Sequence, residues 1–156
     1  MIFLPDEVKT AIEKISKNGF EAYIVGGCVR DSLLGKTPKD YDITTSASPQ
    51  EVEKIFSDCR VIETGIKHGT VTVLINSMPL EITTFRIDSE YVDNRHPESV
   101  TFTKSLREDT ARRDFTMNAI AYNNFTGICD FYGGETDIKN KIGGAHLRRR
   151  PAQDGL

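Results

Sequence analysis

Apolar residues recur at a helical interval near the start of the chain, where Val8, Ile12 and Ile15 punctuate a charged run. That stripe, with Pro5 near its beginning and Asn18-Gly19 at its end, predicts an amphipathic helix over residues 5–18. The period then changes. Phe20 to Val25 is a short apolar run that predicts a buried strand. "CVRDSLLG" reads as a helix of about two turns closed by Gly35. "DYDITTS" predicts a second strand, rich in residues that suit a sheet. "SASPQEVEKIF" carries a helix-start signature, with Ser48 as cap, Pro49 at the first position and Glu51 three residues after the cap.

The clearest signal is a hairpin. "GTVTVLI" (Gly69–Ile75) and "LEITTFRI" (Leu80–Ile87) flank the turn "NSMP". Along the second arm, Glu81, Thr83 and Phe85 share one face and Leu80, Ile82 and Thr84 the other. The polar stretch Asp88–Ser99 predicts a mobile loop. "SLREDTARRDFTMNAIAY" (Ser105–Tyr122) is helical in composition, with a break near Arg113–Asp114, and its spacing places Phe115, Met117 and Ile120 in the core. "GICDFYGGETDIKNK" predicts a short strand, a Gly-Gly turn and a last helix. The fold class is α+β: one mixed sheet of about five strands with helices packed on it.

Composition narrows the function classes only a little. The chain has 156 residues, 38% hydrophobic and 28% charged, with a formal net charge of −3. This is the profile of a globular domain, and any contact with nucleic acid rests on local patches. No segment approaches the roughly 20 apolar residues that span a bilayer, so no membrane association is expected. The N-terminus turns acidic at once and does not read as a signal peptide. The three cysteines, Cys28, Cys59 and Cys129, have neither disulfide-framework nor metal spacing. They read as free thiols of a reducing cytoplasm.

The chemistry concentrates in "VGGCVRDSLLGKTPKDYDI" (Val25–Ile43). Asp40 and Asp42 stand two residues apart. On an extended segment their carboxylates leave one face, with Cα atoms about 6.5–7 Å apart. Like charges that close favour a hard divalent cation between them, and Mg²⁺ leaves positions open for phosphates. On these residues alone, two solvated acids at a strand end are the commoner explanation, since short D-x-D matches are frequent. If the strand that holds Glu81 neighbours this one, Glu81 becomes a third acid, and the set suits two-metal chemistry at phosphorus. Gly26 and Gly27, between strand and helix, would let a phosphate approach the backbone, although a tight turn also accounts for them. Arg30 is placed to reach a triphosphate, and Asp31 to hold Arg30 or to cap the helix. Farther along, Arg112 and Arg113 supply positive charge, and Asp114 and Asn118 offer groups suited to a ribose hydroxyl or a base. His68 reads as a hydrogen-bonding turn residue.

Taken together, "GGCVRDSLLGKTPKDYDI", "KHGTVTV", "EITTFRID" and "RRDFTMNAIA" resemble the head of class II tRNA nucleotidyltransferases, the CCA-adding enzymes and related bacterial poly(A) polymerases of the DNA polymerase β superfamily. The resemblance covers residues 8–142. It implies a catalytic head at 1–142 in which Asp40, Asp42 and Glu81 are catalytic and bind Mg²⁺. It implies that Gly26, Gly27 and Arg30 contact the triphosphate, and that Arg112, Arg113 and Asp114 belong to a nucleotide-recognising motif. The implied reaction adds C and A nucleotides to the tRNA 3′ end from CTP and ATP. "KHGTVTV" looks like the CCA-adding type, and the "DNR" loop within Asp88–Ser99 resembles the loop of enzymes that add the terminal A. A poly(A) polymerase head, or a non-catalytic nucleotide-binding module, stays open. The family pattern stops after Lys141, so residues 143–156 are expected to form a disordered tail, with the E-D-x-x-R neck, body and tail domains absent.

Overall fold

The computed structural model describes residues 2–88 and 100–140. Its first element, helix α1 (Asp6–Lys17), buries Val8, Ala11, Ile12 and Ile15 completely. Full burial of an aliphatic side chain contributes roughly 1.5–3 kcal/mol, so this stripe is the main reason the helix docks. Asp6 and Glu7 in its first turn and Lys14 and Lys17 in its last complement the helix dipole.

Strand β1 (Ala22–Val25) leads through Gly26 into the short helix α2 (Gly27–Leu33). Strand β2 (Asp42–Thr45) follows, then helix α3 (Pro49–Ile55). The capping box of α3 is complete: Ser48 Oγ accepts from the Glu51 amide at 3.1 Å, and Glu51 Oε1 accepts from the Ser48 amide at 2.8 Å. Strands β3 (Arg60–Gly65), β4 (Thr70–Ile75) and β5 (Met78–Thr84) form a meander. Strands β6 (Arg86–Asp88) and β7 (Val100–Phe102) make a separate antiparallel ribbon. Helix α4 (Leu106–Ala111), strands β8 (Ile120–Asn123) and β9 (Gly127–Asp130) and helix α5 (Gly134–Lys139) complete the described chain.

The main sheet has seven strands in the order β3-β4-β5-β2-β1-β8-β9, all antiparallel pairs except β2 beside β5. One face holds the larger core, where Ile24, Ile43, Leu80, Ile82, Val71, Val73 and Ile120 meet α1, α2 and α3. The other face holds a smaller cluster of Tyr23, Val25, Phe85, Leu106 and Ala121.

The class is the α+β one expected, but several elements differ from the sequence reading. The sheet is larger because β3 and β8 were not anticipated. Residues 120–122 were expected to continue a helix. They are strand instead, because "AIAY" is too short to distinguish the two periods and the slot between β1 and β9 buries all four residues of β8. The helix before it stops at Ala111, and a 3₁₀ turn covers Thr116–Asn118. Phe115, expected in the core, is 42% exposed, because it falls in the turn before that 3₁₀ segment. Asp40 lies outside β2, which begins only at Asp42. The hairpin turn is just Asn76-Ser77, both left-handed with φ of 50° and 66°, and Met78 and Pro79 already belong to β5. Its second arm breaks at Phe85, whose amide donates to Thr45 O at 2.7 Å while its carbonyl accepts from Thr103. The expected loop beyond Asp88 and the tail at 143–156 lie outside the described residues.

Candidate active site

The parallel pairing of β2 with β5 sets the site. Asp42 is the register partner of Glu81, and Ile43 of Ile82. Neighbouring strands lie about 4.8 Å apart, so the two acids stand side by side on one face while the isoleucines enter the core behind them. Thr72 on β4 is the partner of Glu81 on its other side, extending the row to three strands. One step along, Thr44 pairs with Thr83, and Thr83 with Thr70, whose hydroxyl is 2.8 Å from that of Thr83. The face that carries the acids is therefore lined with hydroxyls.

Asp42 keeps an open flank, but protein crowds its other sides. Burial is the largest cause that raises its carboxyl above the usual carboxylate range, followed by the charge of Glu81. Asp40 adds a smaller push in the same direction, and the Arg113 guanidinium opposes them. Asp40 itself is exposed in the segment before the strand. Among the described residues, no three Asp, Glu, His or Cys side chains close into a metal-holding group. The protein offers a facing pair, Asp42 and Glu81, with Asp40 alongside.

The glycine turn borders the same cleft. Gly27, Cys28, Lys36, Lys39, Asp40 and Asp42 line an open cavity of about 390 Å³. Gly26 has φ 85° and ψ −141°, a conformation that side chains other than glycine's rarely adopt. Two guanidinium groups lie over the turn. A Cβ on Gly26 would sit 3.6 Å from Arg113 Nη1, and one on Gly27 3.2 Å from Arg30 Nη2. Arg30 is steadied by Asp31, whose Oδ1 accepts from Nε at 3.2 Å, and by Asn118, whose Oδ1 accepts from Nη1 at 3.0 Å. Arg113 is pulled below the ordinary arginine range by burial and by neighbouring Arg112, against the attraction of Asp109 and Asp42.

The structure thus places Gly27, Asp40 and Asp42 on one cleft, with Glu81 beside Asp42 in register and Arg113 and Arg30 against Gly26 and Gly27. Arg112 turns toward buried Asp109, with Nε 3.5 Å from Oδ1, and Asp114 stands exposed just beyond. Lys36, Lys39 and Cys28 were missed as cleft residues. The lysines had a signal, since "KTPKDYD" places two positive charges directly before the acids. Cys28 had none: its thiol donates to Val25 O at 3.4 Å, and burial pushes it above the ordinary thiol range. His68 takes part through its backbone, its carbonyl accepting from Arg86 Nη1 at 3.1 Å.

Comparison with known proteins gives a consistent answer. Residues 22–142 match the family model described as the poly(A) polymerase head domain. The CCA-adding enzyme of Staphylococcus aureus strain MRSA252 is 49% identical over 137 residues, 88% of this chain and 34% of that protein. A crystal structure of the Bacillus stearothermophilus CCA-adding enzyme in complex with CTP superposes with a TM-score of 0.78 at 44% identity, covering 88% of this chain and 32% of the other. A tRNA nucleotidyltransferase complexed with a primer tRNA and an incoming ATP analogue matches with a TM-score of 0.64 at 33% identity, over 84% and 37% of the two chains. The chain spans about a third of the length of the curated relatives it matches.

Proposed function

The chain belongs to the poly(A) polymerase head-domain family, and from that membership we propose that residues 1–142 are the catalytic head of a cytoplasmic, template-independent RNA nucleotidyltransferase. Its substrates are CTP, ATP and the 3′ end of tRNA, to which C and A nucleotides are added. The observation that carries this reading is the register pair Asp42–Glu81, with Asp42 on a cleft that Gly27 also lines.

The donor set fits Mg²⁺. Two facing carboxylates with a third alongside are hard oxygen ligands, and Mg²⁺ commonly takes one or two carboxylates and completes its shell with water and phosphate. The electrostatics that raise Asp42 favour a cation there for the same reason. Asp40, Asp42 and Glu81 would hold the metal, which when bound neutralises phosphate charge and activates a hydroxyl.

The chain's own groups do the rest. The glycine turn lets phosphate oxygens come close to the backbone. Arg30 and Arg113 offer charge-assisted hydrogen bonds to the triphosphate, and Arg112 and Asp114 extend the polar rim toward the sugar. In the reaction the terminal 3′ hydroxyl oxygen of the RNA bonds to the α-phosphorus, the bond to pyrophosphate breaks, and the hydroxyl proton passes to solvent.

Equilibrium dialysis with labelled CTP tests the reading. The chain is expected to retain the nucleotide in Mg²⁺ and release it in chelator, and Asp40→Ala is expected to retain none. Equal retention by both proteins would count against the assignment. A poly(A)-adding head is the second reading, since the matching family model bears that name. Binding of ATP with rejection of CTP would favour it.

A further inference from the structure

Arg113, the arginine against Gly26, pairs with a carboxylate behind the turn. Asp109 on α4 is completely buried. Its Oδ1 accepts from the Arg86 amide at 3.0 Å and lies 3.5 Å from Arg112 Nε. Its Oδ2 accepts from the Thr44 hydroxyl at 3.1 Å and lies 3.7 Å from Arg113 Nη2. One carboxylate therefore ties β2, which begins at Asp42, to β6, which leaves the sheet beyond Phe85, and to both arginines. Asp109 does not line the cleft.

A buried carboxylate is costly unless its lone pairs are filled and its charge is balanced, and here four groups from three segments do both. The Nε–H groups of Arg112 and Arg113 are buried and donate to no hydrogen-bond acceptor. The carboxylate that faces both guanidinium groups is that of Asp109, at 3.5 Å from Arg112 and 3.7 Å from Arg113.

We infer that Asp109 is a positioning residue for the nucleotide site: it holds Arg113 against the Gly26 turn and fixes the strand that carries Asp42, so that ligand binding depends on a carboxylate the ligand never touches. The inference rests on the function proposed above. Removing the charge frees Arg113 to swing away and leaves one acceptor oxygen where the Thr44 hydroxyl and the Arg86 amide used two.

The test uses the full chain and its Asp109→Asn variant, with two readouts. The first is the NMR signal of the Arg113 guanidinium N–H groups, whose Nη2 faces Asp109, with Arg30, held by Asp31 and Asn118, as an internal control. Hydrogen exchange at Arg113 is expected to accelerate in the variant while Arg30 stays unchanged; unchanged exchange at Arg113 would overturn the holding role. The second is Mg²⁺–CTP affinity in a double-mutant cycle. Asp109→Asn is expected to weaken binding by roughly tenfold or more, as loss of a partner behind a ligating group commonly does. Its cost should be smaller in the Arg113→Ala background than in wild type, the remainder being the Thr44 tie to the strand of Asp42. Additive losses, or wild-type affinity in Asp109→Asn, would overturn the inference. Failure of the wild-type chain to bind Mg²⁺–CTP would instead overturn the proposed function and the binding half of this inference, while Arg113 exchange still decides the holding role.

Discussion

Asp42 and Glu81 are register partners on the one parallel strand pair of the main sheet, with their carboxylates on the same face. Two like charges at that spacing raise the energy of the ionised site. Both side chains retain solvent exposure, and the Arg113 guanidinium opposes the burial and the like charge that raise Asp42.

The first prediction follows from the sign of that perturbation. The Asp42 carboxyl is raised above its unfolded value, so the neutral form is the one the fold favours. Its contribution is fully present below the unfolded value of about 3.9 and is lost as pH rises through the folded value. In chelator, the melting temperature of wild type relative to Asp42→Asn is therefore expected to fall as pH increases across that window and then level off. At neutral pH the variant melts no lower than wild type. Added Mg²⁺ stabilises only the wild-type protein. A scanning-fluorimetry series in which the variant melts lower at neutral pH without metal would refute the electrostatic account.

The two glycines of the turn should separate stability from binding. Gly26→Ala forces a side chain into a backbone region with φ 85°, and a loss of about 1–3 kcal/mol is expected in urea unfolding. Gly27→Ala meets only the end of Arg30, 3.2 Å away. It should leave the urea midpoint nearly unchanged while weakening Mg²⁺–CTP binding, as read by dialysis.

Gly134 is a different case. A Cβ there would lie 2.2 Å from Thr116 O and 2.7 Å from Ile120 Cγ1, so α5 cannot stay seated against the 3₁₀ turn. Gly134→Ala should cost about 1–3 kcal/mol or more by urea unfolding, as overpacking does. The same turn carries Asn118, which steadies Arg30, so nucleotide affinity should fall as well.

Phe85 is fully buried in the smaller core, stacked near Tyr23 with ring centroids 6.4 Å apart. Phe85→Ala is expected to cost about 3–5 kcal/mol, and Phe85→Leu markedly less. Chemical denaturation of the three proteins side by side checks the order.

Much of this molecule was legible in its sequence because local rules were strong there. The stripe of Val8, Ile12 and Ile15 defines a helix face, Ser48 and Glu51 spell out a cap, and the alternation around Asn76-Ser77 defines a hairpin. The same alternation put Glu81 on the opposite face from Ile82 before any partner strand was known. These are properties of a few neighbouring residues, and burial of one face settles them.

Contacts between distant segments were decided by the tertiary structure alone. That β5 lies parallel to β2, so that Glu81 meets Asp42, depends on strand order, which no local period encodes. "IAYN" became the strand β8 because a slot between β1 and β9 was there to bury it. Asp109, in "REDTARRD", looks like any acid in a charged helix; only folding puts Thr44, Arg86, Arg112 and Arg113 around it. Residue spacing carries the period of an element, whereas pairing between elements is a matter of global packing, and the site is built from such pairings.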